Sequence, residues 1–237
     1  MQVTTSAEGW TAARPRTLVD HVIDQILSAA ARGLILPGDR LVEKDLSASL
    51  NMSRVPIREA LRVLESQGVV TSEPYKGIRL MEITQDRLSQ ILDVRTTLET
   101  LAATRAIEAG RNAGEALAPL RRSLQELRLM GERGEVFSFA SADTAFHMQL
   151  VCLGGNQPLV TLWQSLARQL TVIIGLAVNS KDMKTIVSEH ERLLDTIASG
   201  DLAAVRKELT EHIITEGMKV DFDLLHARRM AAQITAA

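Results

Sequence analysis

From Thr17 onward apolar residues fall at helical spacing: Leu18, Val22, Ile26 and Leu27 share one face, and Gly33 supplies a stop near the helix end. Residues 1–16 before it are polar, contain Pro15 and have no apolar period, which predicts a flexible tail. After the turn-forming Leu36-Pro37-Gly38-Asp39, a short helix is predicted over about 42–50 and another over about 54–67, with Asn51-Met52-Ser53 as a tight connection. Two β-prone runs, 69–71 and 78–81, flank Glu73-Pro74-Tyr75-Lys76-Gly77, which has the turn chemistry of a hairpin. Thr84 is placed to cap a new helix with Asp86 in its first turn. Six helices are predicted beyond it, over about 84–109, 115–130, 135–153, 158–179, 183–199 and 201–228. The breaks fall at Gly114, Gly131 to Gly134, Gly154-Gly155-Asn156, Asn179 to Asp182 and Ser199-Gly200-Asp201. The pattern therefore predicts a mainly α chain in two parts, dividing near 82–83.

Composition sharpens this picture in a few places. Aromatic residues make up 3% and apolar residues 46%, which favours helix packing over extensive sheet. A formal charge of −2 excludes a polybasic coat, so any nucleic-acid surface must be local. The one cysteine, Cys152, cannot form an internal disulfide, and no signal-like start precedes the helices, so a cytoplasmic location is expected. The longest unbroken apolar run, 172–178, is far below the roughly 20 residues of a membrane helix, and no membrane partner is expected.

The third helix has two faces. Ile57, Leu61 and Leu64 recur at core spacing, and Arg54, Arg58 and Arg62 recur every four residues elsewhere. Arginines in the first turns of a helix can reach base edges and phosphates in a major groove, with Ser53 at the cap to meet a phosphate. The same spacing also suits a solvated face paired with Glu59 and Glu65, and periodicity leaves both readings open. Gly33-Leu34-Ile35-Leu36-Pro37-Gly38-Asp39-Arg40-Leu41, then Ser53-Arg54-Val55-Pro56-Ile57-Arg58-Glu59-Ala60-Leu61 and Leu64-Glu65-Ser66-Gln67-Gly68-Val69-Val70, resemble the N-terminal signature of GntR-family regulators. The resemblance implies a winged helix-turn-helix over 17–82, with three helices and a β-hairpin wing, binding double-stranded operator DNA. It implies Lys44, Arg54, Arg58 and Gly77 as principal contacts, supported by Ser53, Ile57 and Lys76. Lys44 stands where arginine is frequent in that family, and lysine holds a phosphate but reads guanine less well.

Asp143 and His147 lie four apart, on one face of a helix. His190 lies ten residues before Gly200 and His212 twelve after it, so helices folding back at that turn would bring both imidazoles to one height. One carboxylate and three imidazoles suit a divalent ion such as Zn²⁺ or Ni²⁺. Histidines standing alone are more often ordinary helix residues, which is the reading for His21 and His226. Asp143-x-x-Phe146-His147, Glu189-His190 and Glu211-His212 resemble the metal set of the FCD ligand domain in the FadR-like subgroup, and Arg95, Glu99 and Gly155-Asn156 also match it. The resemblance implies an all-helical domain of six to seven helices over 83–237, a homodimer, and a small carboxylic-acid effector bound beside the metal. Arg95 is then the first candidate to pair with that acid, with Arg168 and Asn156 as further effector-binding candidates; Arg95 could instead pair with Glu99 at i+4. Cys152 reads as a core residue, and 83–87 as a hinge. Two alternatives stand beside the effector-controlled repressor: a direct metal sensor, and a metal-dependent hydrolase carrying a DNA-binding domain. Glu189 and Glu211 adjoin the metal candidates, but one helical residue rotates about 100°, so neither is expected to face the ion, which argues against catalysis.

Overall fold

The computed structural model describes residues 17–73, 75, 77–178, 182–215, 217, 218, 220–223 and 227. The predicted tail lies outside the described residues. Thr17 starts helix α1 (Leu18–Ala31) through a capping box, its hydroxyl accepting from the Asp20 amide while the Asp20 carboxylate accepts from the Thr17 amide. Strand β1 (Arg40–Leu41), helices α2 (Glu43–Ser49) and α3 (Arg54–Ser66), and strands β2 (Val70–Glu73) and β3 (Gly77–Leu80) follow. The sheet has the order β1-β3-β2 and is antiparallel, with Leu41 opposite Ile78 and Val70 opposite Leu80. The hairpin is where its turn residues predict it. Strand β1 was not foreseen, because two residues are too few to show an alternation.

Val22, Ile26, Ile57, Leu61, Leu64 and Leu80 form the core of this N-terminal part. Thr84 then caps α4 (Gln85–Glu108), its hydroxyl accepting from the Arg87 amide. A 3-10 turn (Gly114–Leu117) leads into α5 (Ala118–Arg133), and α6 (Val136–Leu153), α7 (Gln157–Val178), α8 (Met183–Ser199) and α9 (Leu202–Thr210) complete the bundle. Helix α5 runs through Gly131 and ends at Gly134, whose φ of +68° closes it. Helix α6 lies innermost, packed on α4, α5 and α7, and Phe139, Phe146 and Trp163 are fully buried there.

Two expectations are corrected, and one observation is added. The last helix is not continuous to 228: α9 stops at Thr210 and passes into a π turn, Glu211–Thr215. Cys152 is exposed rather than core, because the buried face of α6 runs through Phe146, His147, Leu150 and Val151. Helices α6 and α7, with mean hydropathies of 1.2 and 1.3 over 18 and 22 residues, are long and apolar enough to cross a membrane, which the longest apolar run did not reveal. Both are core helices here, about half buried, and α6 carries the buried Asp143 and His147. Helix α7 also lies close against α1: a Cβ on Gly175 would stand 2.8 Å from the Ala31 Cα.

Candidate metal centre and nucleic-acid interface

One turn of α6 separates Asp143 from His147, α8 supplies His190, and the π turn supplies His212; all four are buried. The wider π turn places His212 where its Nε2 lies 3.1 Å from that of His147, and His190 Nε2 stands 3.2 Å from His147 Nε2. Three imidazole nitrogens at these separations match the edges of a polyhedron around an ion with metal–nitrogen bonds of about 2.0–2.1 Å, whose edges are about 3.0–3.4 Å. Asp143 Oδ2 is 3.2 Å from His190 Nε2, and its buried Oδ1 has no hydrogen-bond partner among the described residues. Two of the opposite ring nitrogens are engaged: His147 Nδ1 meets Glu99 Oε2 at 2.6 Å, and His190 Nδ1 meets the Ile186 carbonyl at 2.8 Å. A proton on each Nδ1 leaves the Nε2 lone pairs for an ion, the usual arrangement behind a metal-binding histidine. The residues fit a divalent cation.

Electrostatics agree with that protonation. Burial, followed by the Arg95 charge, lowers the His147 pKa below its ordinary value and favours the neutral ring. For Asp143 burial raises the pKa, but His190 nearby outweighs it and brings the carboxyl down to about 2. Burial likewise raises Glu99, and the opposing pull of His147 and Arg95 wins, leaving it below the usual carboxylate range. Glu99 also accepts from Trp163 Nε1 at 3.1 Å and pairs with Arg95 Nε at 2.9 Å. Sequence reasoning placed Glu99 beside Arg95 but missed its bond to His147, since 48 residues separate the two.

A small, partly open cavity of about 70 Å³ lies beside the imidazoles, with Arg95, Asp143, Glu189, His190 and His212 among its polar wall and Ile174 and Val178 among its apolar one. Arg95 is paired with Glu99 and also lines the cavity. Glu189 lines the cavity too. Arg168 and Asn156 are elsewhere. Arg168 donates to the Gln67 side chain at the junction with the N-terminal part, and Asn156 Oδ1 accepts from the Leu159 amide at the start of α7.

In the N-terminal part, Arg54, Arg58 and Arg62 are exposed along α3, and Lys44 is exposed on α2. Ser53 occupies the N-cap of α3 without a side-chain capping bond, which leaves its exposed hydroxyl available to another acceptor or donor. Arg58 is held by Glu43 at 2.9 Å, a partner the sequence reading missed because α2 and α3 meet only after folding. Ile57 corrects its assignment as a contact: it is 0% exposed and packs in the core. Lys76 lies outside the described residues. Gly77 has φ +76°, and a Cβ there would come 3.1 Å from Arg40 Nε, so the wing base admits glycine for backbone reasons and brings Arg40 beneath it.

Residues 18–80 match the model of the gntR family of bacterial regulatory proteins, and residues 90–215 match that of the FCD domain. Among curated proteins, the chain is 26% identical to the "Probable D-xylose utilization operon transcriptional repressor" of Paenarthrobacter nicotinovorans, over 83% of this chain and 86% of that one. It is 27% identical to the gluconate operon transcriptional repressor of Bacillus licheniformis, over 85% and 84%. The fold is similar to that of McbR/YncC from Escherichia coli, with a TM-score of 0.66 and 22% identity over 90% of this chain and 99% of that one. With both family models covering the two parts in order, and with a basic helix in one part and a buried imidazole cluster in the other, this chain belongs to the GntR family of transcriptional regulators, with an FCD domain as its C-terminal part.

Proposed function

We propose that this regulator is a cytoplasmic, homodimeric repressor whose operator affinity is set by a small carboxylic acid bound beside a divalent metal in the FCD domain. Residues 17–82 serve as the DNA-binding part and 83–237 as the sensing part. The observation that carries the reading is the convergence of three buried imidazoles, two of which, His190 and His212, line a cavity together with Arg95. Asp143, His147, His190 and His212 would hold the ion, which supplies a Lewis-acidic anchor for a carboxylate, while Arg95 orients that group through charge-assisted hydrogen bonds. The repressor names of the xylose and gluconate relatives support repression and an effector of metabolite size. Arg54 and Arg58 enter the major groove, Lys44 and Ser53 hold phosphates, and Lys76 and Gly77 lie at the wing.

The test combines anisotropy titrations against duplexes from the gene's own upstream region with thermal-shift screening of small carboxylic acids on Zn²⁺- and Ni²⁺-loaded protein. Arg54→Ala is expected to weaken operator binding by about 1–3 kcal/mol, and an acid that raises the melting temperature is expected to release DNA. If no carboxylic acid alters DNA binding and metal alone does so over a physiological range, the protein is a direct metal sensor. That second reading is favoured by the burial of the three imidazoles, which lets an ion bind without an organic ligand.

A further inference from the structure

The helical bundle reaches across to the C-terminal end of α3. Gln169 Nε2 donates to the Gln67 carbonyl at 2.8 Å, and Arg87 Nη2 donates to the Gly68 carbonyl at 3.3 Å and to Gln169 Oε1 at 3.2 Å. Arg168 donates to the Gln67 side-chain carbonyl. The last carbonyls of a helix have no partner within it and form the negative end of its dipole. In α3 the Leu64 and Glu65 carbonyls accept locally from the Val69 and Gly68 amides, and α7 and α4 hold the next two carbonyls, of Gln67 and Gly68, in the turn that ends the helix. Gly68 takes φ +68°, and a Cβ on it would stand 2.9 Å from Gln169 Nε2, so the amide of Gln169 sits directly against the turn that ends the DNA-reading helix.

Helix α7 carries this contact at one point and the cavity wall at another. Ile174, Ala177 and Val178 line the cavity, and Gly175 between them lies against Ala31 of α1. Gln169 and Ala177 are about 12 Å apart along the helix axis at 1.5 Å per residue. A rigid helix cannot move at the cavity without moving the amide that holds Gln67. The hydrogen bonding at the junction is also incomplete, since the buried Nε of Arg87 has no partner among the described residues. Buried donors are rarely left unmade, so a second arrangement that satisfies this group is not opposed by it.

We propose that Gln169, assisted by Arg87 and Arg168, is a positioning residue for DNA reading: from the sensing part it clamps the turn that ends α3, and through it cavity occupancy sets the orientation of α3. This rests on the operator-binding reading above and adds the residue through which binding at the cavity is felt. Two variants of the full chain isolate the contact. Gln169→Met keeps the volume and removes the hydrogen bonds, and Gln169→Glu keeps an acceptor for Arg87 but loses the donor to Gln67. With Zn²⁺ alone as the probe, Zn²⁺ affinity by competition titration is expected to stay within about twofold of the parent in both variants. Hydrogen exchange across residues 64–70 is expected to change roughly threefold or more on adding Zn²⁺ to the parent and to be insensitive to Zn²⁺ in Gln169→Met. The ratio of operator affinities with and without Zn²⁺, measured on a duplex selected from a random pool, is expected to move towards unity in the same variant. Exchange at 64–70 that ignores Zn²⁺ in the parent, or responds equally in Gln169→Met, overturns the proposal. Failure of the selection to yield any duplex would count against the operator reading instead, and the exchange measurement would still decide the role of Gln169.

Discussion

Glu99 holds the buried polar cluster together, accepting from His147, Arg95 and Trp163 at once. Replacing its carboxylate by an amide in Glu99→Gln removes the acceptor that fixes the His147 tautomer, and metal affinity is expected to fall by about 10–100-fold in competition titrations. Trp163 emission is expected to respond to metal in the parent, since its indole N–H shares that carboxylate. Protonation gives a second expectation. Folding lowers the His147 pKa below the ordinary 6.5, so between the two values the unfolded chain binds a proton that the folded, metal-free protein does not. That stabilisation is complete above pH 6.5 and is lost as the pH falls through the folded value; the melting temperature of chelator-treated protein should drop over this range, and less steeply in His147→Phe. The four metal candidates were legible because their spacing follows helical geometry and a shared turn. The link from Glu99 to His147 was not, because nothing local to either residue marks it. Ile57 was misassigned against its own register, since it repeats with Leu61 and Leu64 on the buried face.

Among the elements, α3 was the most legible, because its apolar and arginine stripes stand on different faces and Gly68 follows its end. The break after Thr210 was invisible, since Glu211 to Thr215 contains no glycine or proline and a π turn follows from packing rather than from punctuation. Helix α7 was foreseen as a helix but not as the element that joins both parts. Its fit to α1 depends on Gly175: the Cβ of Gly175→Val would meet the Ala31 backbone, and overpacking of this kind costs about 1–3 kcal/mol. A lowered midpoint in urea unfolding, with an unchanged slope, would be the expected result.

At the scale of the molecule, a net charge of −2 concentrates DNA affinity on one small basic face, and a single face of that size binds weakly without a second copy. Sedimentation at micromolar concentration is therefore expected to give a dimer, and footprinting to protect two half-sites about one helical turn of DNA apart. The contact between the two parts, through residues separated by about 100 positions, could be seen only in three dimensions. The order of synthesis gives that contact a further meaning. The residues of α3 leave the ribosome about 100 positions before Gln169, which holds the turn that ends that helix, and His212 of the imidazole cluster follows later still. A nascent molecule thus carries its basic helix before the contact that braces it.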